Sequence, residues 1–517
     1  MGTCNSKPAI KKNSKNKKQI SINLDIDTMD QNKTRKGSPN KKDRASISGF
    51  KMSNFIEISK ENIKKHYTLN SEIIHSGKKT KIKLATHKLT KVNYAIKIVS
   101  KENLSELSEK KLIREINTLK KMDHGNIIRI HDIYESQTNY YIVRDYIAGT
   151  NLSKKLANDR NEFNEDYIKK IMKSILSALS YIHRHDIIHG NVQSSNIICS
   201  NNKFKSIVLV GFQNVKKEND KPSDIKSREN IQYTAPEVLD NILIDKNDIW
   251  SVGIVLYEML TGSAAFKGTE DEILNKIKVG QFEVSLDSIT GVSREAVEIV
   301  KKLLTLSYND RPSADEILQD EWFKTSDTSA QARIILGKYL KNIKNIEFKT
   351  KVHESFYLYF IAYVTPQDER FAIYSKLETI DPGHNGVITL DELKTIVNKL
   401  NLEYSEEEIE KIFAKADKNN EGLISYLEFA FGMVDYEKLF DVNNIIFMFN
   451  VLDKNNNGLI KIEDFKRFVN ENDITIDENL NDAWKAIDIT GSNNINFNEF
   501  RVFITDLSND LDRVLEK

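Results

Sequence analysis

The pattern of apolar and polar positions changes character several times along the chain. Residues 80–89 and 92–99 alternate between apolar and polar side chains, which predicts two adjacent antiparallel strands. Residues 109–122 follow a helical period with their apolar side chains on one face, which predicts an amphipathic helix. Residues 1–66 are polar, charged and without a period. We therefore expect them to form a disordered tail before the first globular domain.

A second amphipathic segment lies between the middle of the chain and its C-terminal third. Among the lysines of residues 333–351, Ile335, Tyr339, Ile343 and Ile346 recur at helical spacing. Basic amphipathic helices of this kind are typical targets of calmodulin-like domains. The pattern predicts one helix over this segment that binds an acidic domain of the same chain.

The last part of the chain contains a repeat of Asp-led loops. They begin at Asp381, Asp417, Asp453 and Asp488, at separations of 36, 36 and 35 residues. A fixed period of this kind indicates one supersecondary unit used four times. A calcium-binding loop needs oxygen ligands at positions 1, 3, 5 and 12, a turn residue at position 6 and an apolar residue at position 8. Each repeat approximates this pattern.

The four loops match the calcium pattern to different degrees. In the first, Gly383 at position 3 has no side-chain oxygen, so water or backbone must substitute. The third ends in Asp464, whose short side chain lowers calcium affinity or shifts the site toward magnesium. The fourth has Asn493 at the turn position, where asparagine tolerates the left-handed conformation. We rank the second loop first, then the first and third, then the fourth, and expect two to three to bind Ca²⁺. The candidate ligands are Asp417, Asn419, Glu421 and Glu428; Asp381, Asn385 and Glu392; Asp453, Asn455, Asn457 and Asp464; and Asp488 and Glu499.

Charge is distributed unevenly although the formal net charge is only +1. Residues 1–60 carry 14 Lys/Arg and 5 Asp/Glu, whereas residues 361–517 carry 16 and 31. This suggests an anionic surface as partner at one end and cations or basic helices at the other. Two cysteines, Cys4 and Cys199, exclude a disulfide framework and indicate a reducing compartment. The apolar run 356–364 is too short to span a membrane.

The first residues, MGTCNS, carry a lipidation signal. Gly2 matches the myristoylation acceptor, and Cys4 lies where palmitoylation would add a second chain. Several lysines follow, with no acidic residue before Asp25. One acyl chain anchors a protein only marginally, but a second chain or a polybasic patch makes anchoring stable. We therefore favour a cytoplasmic protein held on an anionic membrane surface over a disordered tail that merely begins Met-Gly.

Motifs in the middle of the chain carry a family resemblance. They are 94-YAIK-97, Glu115 on the helix that follows, 235-APE-237, 248-DIWSVGIVLYEMLTG-262 and 310-DRPSA-314. With these motifs and the loop repeat, the chain resembles the calcium-dependent protein kinases of plants and protists. The resemblance implies an α+β, bilobal protein-kinase fold followed by an all-α, calmodulin-like domain of four EF-hands. The implied segments are an acylated basic tail (1–66), a kinase-like domain (67–323), a regulatory junction helix (324–366) and two EF-hand pairs (367–434 and 435–511).

The same resemblance assigns roles to residues of the kinase-like domain. It pairs Lys97 with Glu115, and both join Gly77 as candidate nucleotide-binding residues. It also implies an Asp248 anchor for the catalytic loop and a Glu237–Arg311 ion pair. A stacked hydrophobic spine is implied at Leu119, His189 and Phe212.

The residues that transfer phosphate in the family are replaced here. Asn191 stands where the family has its catalytic Asp, and an amide is not a useful base at neutral pH. Gln193 replaces the loop Lys that steadies the transferred phosphate, and Gly190 replaces its Arg. Gly211 replaces the magnesium-binding Asp, which leaves Asn196 as the remaining metal contact.

The nucleotide pocket departs from the family as well. The phosphate-covering loop reads 75-HSGKKT-80 and keeps only Gly77 of its three glycines, with Lys78 and Lys79 beside it. Arg144 aligns with the residue that gates the back of the pocket, where it would either fill the pocket or reach an acidic group. We therefore expect weak ATP binding and little or no Mg²⁺.

Three functions are consistent with these residues. The first is a membrane-anchored calcium sensor whose kinase-like domain is inactive or very weak and binds an unknown protein partner. Calcium would close the EF-hand lobes on residues 333–351 and reorient the kinase-like domain. The second is an active calcium-dependent serine/threonine kinase with unusual residues. The third binds ATP structurally, without turnover. No nucleic-acid partner is expected.

Overall fold

The computed structural model describes residues 56–515, apart from 57, 78–79, 103, 202–204, 218–219, 221–230, 286–290, 324–328, 454–456, 472–483 and 486. Gly2, Cys4, Lys78, Lys79 and Asn455, which the sequence singles out, lie outside these residues.

A six-stranded sheet and one helix form the small lobe of the kinase-like domain. The strand order is β1-β5-β6-β4-β3-β2, with β1 parallel to β5 and the other pairs antiparallel. The predicted strand pair is confirmed as β3 and β4, and the predicted helix begins three residues early because Ser105 caps its first turn. These elements are β1 (Ile58–Ser59), β2 (Tyr67–Ser76), β3 (Thr80–His87), β4 (Asn93–Ser100), α1 (Glu106–Leu119), β5 (Ile130–Glu135) and β6 (Asn139–Asp145).

The prediction of a disordered tail through residue 66 is wrong for its last residues. Ile58 and Ser59 pair with Ile133 and Tyr134 at the sheet edge, and Ile63 is buried. A two-residue edge strand has no recognisable period, so its order depends on the neighbouring strand β5.

The large lobe is mainly helical, with α3 and α4 buried along most of their length. Short strands and 3-10 turns carry the loops that face the small lobe. The elements are β7 (Gly149–Asn151), α2 (Leu152–Asn158), α3 (Glu165–Arg184), β8 (Ile187–Ile188), β9 (Ile197–Ser200), β10 (Ile207–Leu209), β11 (Lys216–Lys217), α4 (Lys246–Thr261), α5 (Glu270–Val279), α6 (Arg294–Leu303) and α7 (Ala314–Leu318).

The remaining chain forms the junction and two EF-hand pairs. Each pair is joined by a short antiparallel ribbon, β12–β13 and β14–β15, in which the predicted apolar residues at loop position 8 face each other. The elements are α8 (Ser329–Asn345), α9 (Lys351–Val364), α10 (Gln367–Ile380), β12 (Ile388–Thr389), α11 (Leu390–Lys399), α12 (Glu406–Ala416), β13 (Leu423–Ile424), α13 (Tyr426–Met433), α14 (Tyr436–Leu439), α15 (Val442–Leu452), β14 (Leu459–Lys461), α16 (Ile462–Glu471), β15 (Asn494–Asn496) and α17 (Phe497–Leu515). The α+β, bilobal fold with an all-α calcium-binding region is confirmed.

The junction is two helices, so the prediction of one helix over residues 333–351 is wrong. Helix α8 ends at Asn345, and Ile346 is buried in the turn that follows. The next helix starts at Lys351, where the Thr350 side chain accepts a hydrogen bond from an amide of its first turn. Neither this helix nor any other among the described residues is long and apolar enough to cross a membrane.

Candidate functional site

Lys97 and Glu115 form the central ion pair of the small lobe. The Lys97 Nζ atom lies 2.8 and 2.7 Å from the two carboxylate oxygens of Glu115, and both side chains are largely buried. The pair joins strand β4 to helix α1 and fixes the helix close to the sheet. This is the arrangement that the nucleotide-binding prediction requires, although the structure leaves nucleotide binding itself a prediction.

Asp248, at the start of α4, binds the backbone of the catalytic loop. Its carboxylate accepts backbone hydrogen bonds from His189 at 2.8 Å and Gly190 at 2.9 Å, and it lies 3.0 Å from His183 Nε2. Burial by itself would raise the pKa of Asp248, but His183, His189 and the Gly190 amide together hold it below its usual range. Asp248 therefore stays charged and holds the backbone of this loop, although the family's catalytic residues in the loop are replaced.

An amide network occupies the catalytic positions. Asn191 Nδ2 donates to the Gly211 carbonyl at 3.2 Å, and Gln193 Nε2 donates to Asn191 Oδ1 at 3.1 Å. Asn196 Nδ2 donates to the Asn191 carbonyl at 2.9 Å. The positions of the base, the loop lysine and both metal contacts are thus close together, and amide and backbone groups occupy the base and metal positions where the family has carboxylates.

Gly211 has a backbone conformation that few other residues adopt. Its φ angle is +89°, and a Cβ atom at this position would lie 2.5 Å from Asn196 Cγ. An aspartate at position 211 would therefore need both a backbone change and a new position for Asn196.

The hydrophobic spine and the second ion pair of the kinase-like domain are both present. The His189 and Phe212 rings contact edge to face at 4.5 Å, and Leu119 is buried on helix α1. Arg311 Nη1 and Nη2 lie 2.7 and 3.1 Å from the two oxygens of Glu237. The supports of the fold are therefore intact around the altered catalytic residues.

Arg144 lies on the same face of the sheet as Lys97. The β4–β6 register places Arg144 opposite Ala95, two residues from Lys97, so the side chains share one side of the sheet. Burial lowers the pKa of Arg144, and the nearby Glu115 carboxylate opposes this shift. Arg144 therefore lies near the Lys97–Glu115 pair, and both predicted roles, filling the pocket or reaching an acidic group, stay predictions.

The phosphate-covering turn is tight at its remaining glycine. The Gly77 amide donates to the Thr80 carbonyl at 2.8 Å, and a Cβ at Gly77 would lie 3.3 Å from Thr80 Oγ1. The turn therefore has little space for an added side chain.

The calcium loops present their acidic residues around glycine or asparagine turns. In loop 2, the Asp417 carboxylate accepts the amides of Glu421 at 3.0 Å and Gly422 at 2.9 Å. Glu428 accepts the Lys418 amide at 2.8 Å, and burial raises its pKa to about 7. The buried Glu428 carboxylate fits a cation, because an ion would offset the cost of burying its charge.

The other loops repeat this geometry with different end residues. Asp453 accepts the Gly458 amide at 2.7 Å, and Asp488 accepts the Asn493 amide at 2.8 Å. Asn493 has a φ angle of 59°, as the left-handed turn requires. Among the described residues, no three His, Cys, Asp or Glu side chains form a ready cluster. Amide, hydroxyl and carbonyl oxygens must therefore complete each site, and the ligand assignments remain predictions.

Both junction helices pack against the EF-hand region, and each contacts both pairs. Helix α8 lies against α10, α12 and α13 of the first pair, where the rings of Tyr339 and Phe429 are 4.8 Å apart. Asn342 Nδ2 donates to the Gly432 carbonyl at 2.7 Å. Helix α9 carries Phe356, which packs on aromatic rings of the second pair. The apolar run 356–364 is therefore a buried helix between domains.

Contacts between the EF-hand region and the kinase-like domain were missed by the sequence. Arg370 of α10 forms a 2.5 Å ion pair with Asp145 at the end of β6, and His131 lies 2.7 Å from the same carboxylate. The Arg129 guanidinium donates to the Ala362 carbonyl of α9. Arg370 lies at the start of the apolar face of α10. A charged residue on an apolar face is the one feature of the sequence that could have indicated this contact.

A second contact between the EF-hand region and the kinase-like domain is made by Tyr374 and requires a glycine at position 125. Tyr374 Oη lies 2.9 Å from Nε2 of His124, between α1 and β5, and 3.1 Å from Oγ of Ser177 on α3 of the large lobe. A Cβ atom at Gly125 would lie 2.2 Å from the Tyr374 ring, so this position requires glycine. On the small lobe, the His87 and Phe447 rings are 5.2 Å apart. The EF-hand region therefore contacts both lobes.

Domain models and related proteins agree with this architecture. A protein kinase domain model matches residues 68–323, and an EF-hand domain pair model matches residues 370–434 and 442–505. The twitchin kinase region of C. elegans is 22% identical over 53% of this chain and 48% of its own, with a TM-score of 0.48, too partial an overlap to carry an inference. The fold and the loops together define a protein kinase domain joined to two EF-hand pairs.

Several calcium-dependent protein kinases are similar to the chain along most of its length. Calcium-dependent protein kinase 4 of Plasmodium berghei is 26% identical over 466 residues, covering 85% of this chain and 86% of the relative. Calcium-dependent protein kinase 5 of the same organism is 28% identical over 442 residues, covering 83% and 75%. Calcium-dependent protein kinase 3 is 27% identical over 394 residues, covering 75% and 70%. These similarities, with the protein kinase domain and the two EF-hand pairs, support membership of the calcium-dependent protein kinase family.

Proposed function

We propose that this chain is a membrane-anchored calcium sensor whose kinase-like domain transfers phosphate poorly or not at all. In this proposal the domain acts as a calcium-controlled scaffold or allosteric module for a protein partner. The amide network around Asn191 carries the proposal, because Asn191, Gln193 and Gly211 stand in place of the base, the lysine and the metal carboxylate that phosphoryl transfer uses.

The size of the expected loss follows from the groups replaced. General-base assistance is typically worth 10²–10⁴-fold, or roughly 3–5 kcal/mol of barrier. Loss of a metal carboxylate removes a comparable or larger electrostatic stabilisation of the phosphates. Restoring one position does not repair the others, because Gly211 has no room for a Cβ beside Asn196.

The EF-hand region supplies the calcium control in this proposal. Each loop offers a leading Asp and a carboxylate at position 12, and bound calcium supplies the charge that lets these groups come together. Helices α8 and α9 each contact both EF-hand pairs, and Arg370 and Tyr374 of the first pair connect the region to the kinase-like domain. A change in the EF-hand region therefore reaches the kinase-like domain through these contacts.

An active calcium-dependent kinase is the second candidate. The Lys97–Glu115 ion pair favours it, because this pair positions nucleotide phosphates in working kinases. A calcium-dependent phosphotransfer assay on the purified full chain, beside Lys97→Ala, separates the two. We expect both proteins to show the same background. Calcium-stimulated transfer that disappears in Lys97→Ala would establish the kinase instead.

Structural ATP binding without turnover needs a separate measurement. Thermal-shift experiments with ATP, with and without magnesium, measure binding independently of transfer. We expect a small shift that magnesium does not increase, because position 211 lacks its carboxylate. A large magnesium-dependent shift contradicts this expectation.

The membrane anchor is part of the proposal and is supported by Gly2, Cys4 and the lysines that follow them. Gly2→Ala should release the full chain from membrane fractions, and Cys4→Ser should weaken its retention. An unchanged membrane fraction in Gly2→Ala would rule out the acyl anchor.

A further inference from the structure

The first calcium loop differs from the others in what surrounds its turn. A Cβ atom at Gly386, position 6 of loop 1, would lie 2.6 Å from His124 Nε2 and 3.2 Å from Tyr374 Oη. At Gly422 and Gly458, the same position in loops 2 and 3, nothing lies within 4 Å. The turn of loop 1 is therefore covered by His124 of the kinase-like domain and by Tyr374 of α10, whereas those of loops 2 and 3 are open.

Two further contacts connect loop 1 to the large lobe. Gln319 Nε2, just after α7, donates to the Gly383 carbonyl at 3.3 Å. Lys173 Nζ, on α3, lies 3.4 Å from His384 Nε2. Positions 3, 4 and 6 of the loop are thus all in contact with the kinase-like domain.

One oxygen of the Asp381 carboxylate, at the start of this loop, has no hydrogen-bond partner. Asp381 is 2% exposed, and its Oδ2 atom accepts the Gly386 amide at 2.7 Å. Its Oδ1 atom makes no hydrogen bond of normal geometry, although the Gly383 and His384 amides face the carboxylate. A Cβ at Gly383 would lie 3.2 Å from Glu392 Oε1, so both acidic groups approach the same part of the loop. A buried, unpartnered carboxylate oxygen is costly, and a divalent cation would offset that cost.

We propose that loop 1 is a composite calcium site, in which the large lobe forms the outer wall and raises the affinity of the loop for calcium. Loops 2, 3 and 4 bind calcium independently of this wall. The inference rests on the proposed calcium control and identifies one loop as the site that couples calcium to the kinase-like domain. Whether the kinase-like domain transfers phosphate has no bearing on it.

The direction of the coupling follows from order and charge. Loop 1 has glycines at positions 3 and 6, so a free loop loses much backbone freedom when it binds an ion. The contacts from Gln319 and His124 fix that backbone beforehand, which raises affinity. Lys173 acts in the opposite direction as a like charge, but Glu378 lies near enough to offset part of its charge. By linkage, calcium at loop 1 must tighten the contact by the same factor.

Calcium titration of the full chain by calorimetry tests the wall. In Gln319→Ala we expect one site to weaken several-fold, because a single hydrogen bond to the loop is lost. Gln281→Ala is the matched control. Gln281 is also an exposed glutamine of the large lobe, but it follows the C-terminus of α5 and has no hydrogen bond to loop 1 among the described residues. In Gly125→Val the same site should weaken about tenfold or more, because the side chain displaces Tyr374.

The identity of the weakened site is tested in a Glu392→Gln background, where loop 1 no longer binds calcium well. There, Gln319→Ala should have no further effect on the remaining sites. Hydrogen exchange of the loop amides provides a second measurement, and calcium should increase their protection more in the wild type than in Gln319→Ala. Equal calcium affinities in wild type, Gln319→Ala and folded Gly125→Val would overturn the proposal. So would a weakened site that persists unchanged in the Glu392→Gln background.

Discussion

Arg370 provides the sharpest test of how the EF-hand region is held on the kinase-like domain. Its guanidinium lies 2.5 Å from Asp145, and each side chain is only 10% exposed. His131 contacts the same carboxylate at 2.7 Å. Burial by itself would raise the pKa of Asp145, but Arg370 and His131 hold it well below its usual range. Arg370→Met keeps most of the side-chain volume and removes the charge.

The expected magnitude follows from leaving a buried carboxylate without its cation. Removing one partner of a buried ion pair typically costs 3–5 kcal/mol. Because His131 still contacts Asp145, we expect the low end, about 3 kcal/mol. At 1.4 kcal/mol for each factor of ten, the docked arrangement should weaken by roughly 150-fold.

Hydrogen exchange of the full chain in saturating calcium measures this change locally, which suits a chain with several domains. Amides of α10 and of the β5–β6 segment should lose protection in Arg370→Met. Arg501→Met is the matched control, because Arg501 is exposed on α17 of the same region. Global melting temperatures are less informative here, since more than one domain unfolds.

A double-mutant cycle with Asp145→Asn shows whether charge is the cause. The double variant should recover much of the lost protection, because it contains no unpaired buried charge. The electrostatic reasoning is refuted if Arg370→Met changes protection by less than threefold, or if the two substitutions simply add.

Three other predictions concern separate parts of the chain. Arg311→Met should destabilise the kinase-like domain by about 3–5 kcal/mol, since it leaves buried Glu237 unpaired, and should lower its urea midpoint followed by tryptophan fluorescence; an unchanged midpoint would contradict this. Glu428→Gln should cause the largest loss of calcium binding among the position-12 variants in calorimetry, and a minor loss would reverse the ranking of the loops. Asn191→Asp should leave phosphotransfer at background, because Gly211 still lacks a carboxylate; recovered activity would show that the base alone was missing.

Local features were predictable because they depend on residue identity over short distances. The strand pair β3–β4, the apolar face of α1 and the paired apolar residues at loop position 8 follow from period alone. The replacement of the catalytic Asp by Asn191 is likewise visible in the chain, and the structure adds that its amide is bonded to Gly211.

Other features were not predictable because they depend on which distant residues lie beside them in the folded chain. The edge strand β1 needs β5 as its partner, and the apolar spacing of residues 333–351 does not reveal that α8 ends at Asn345 and α9 begins at Lys351. The sequence is consistent with two environments for Arg144, inside the nucleotide pocket or beside an acidic group. Only the β4–β6 register shows that it lies near Lys97 and Glu115.

The sequence by itself predicted the domain order and the four calcium loops from spacing and residue type, and its resemblance to a known family identified Asn191, Gln193 and Gly211 as departures from that family's catalytic residues. Tertiary structure alone decided that Gly125 receives Tyr374, that Arg370 pairs with Asp145, and that the large lobe covers loop 1. These contacts join residues more than 60 positions apart in the chain. Their energy comes from burying groups against each other, and no local period records which buried groups will meet.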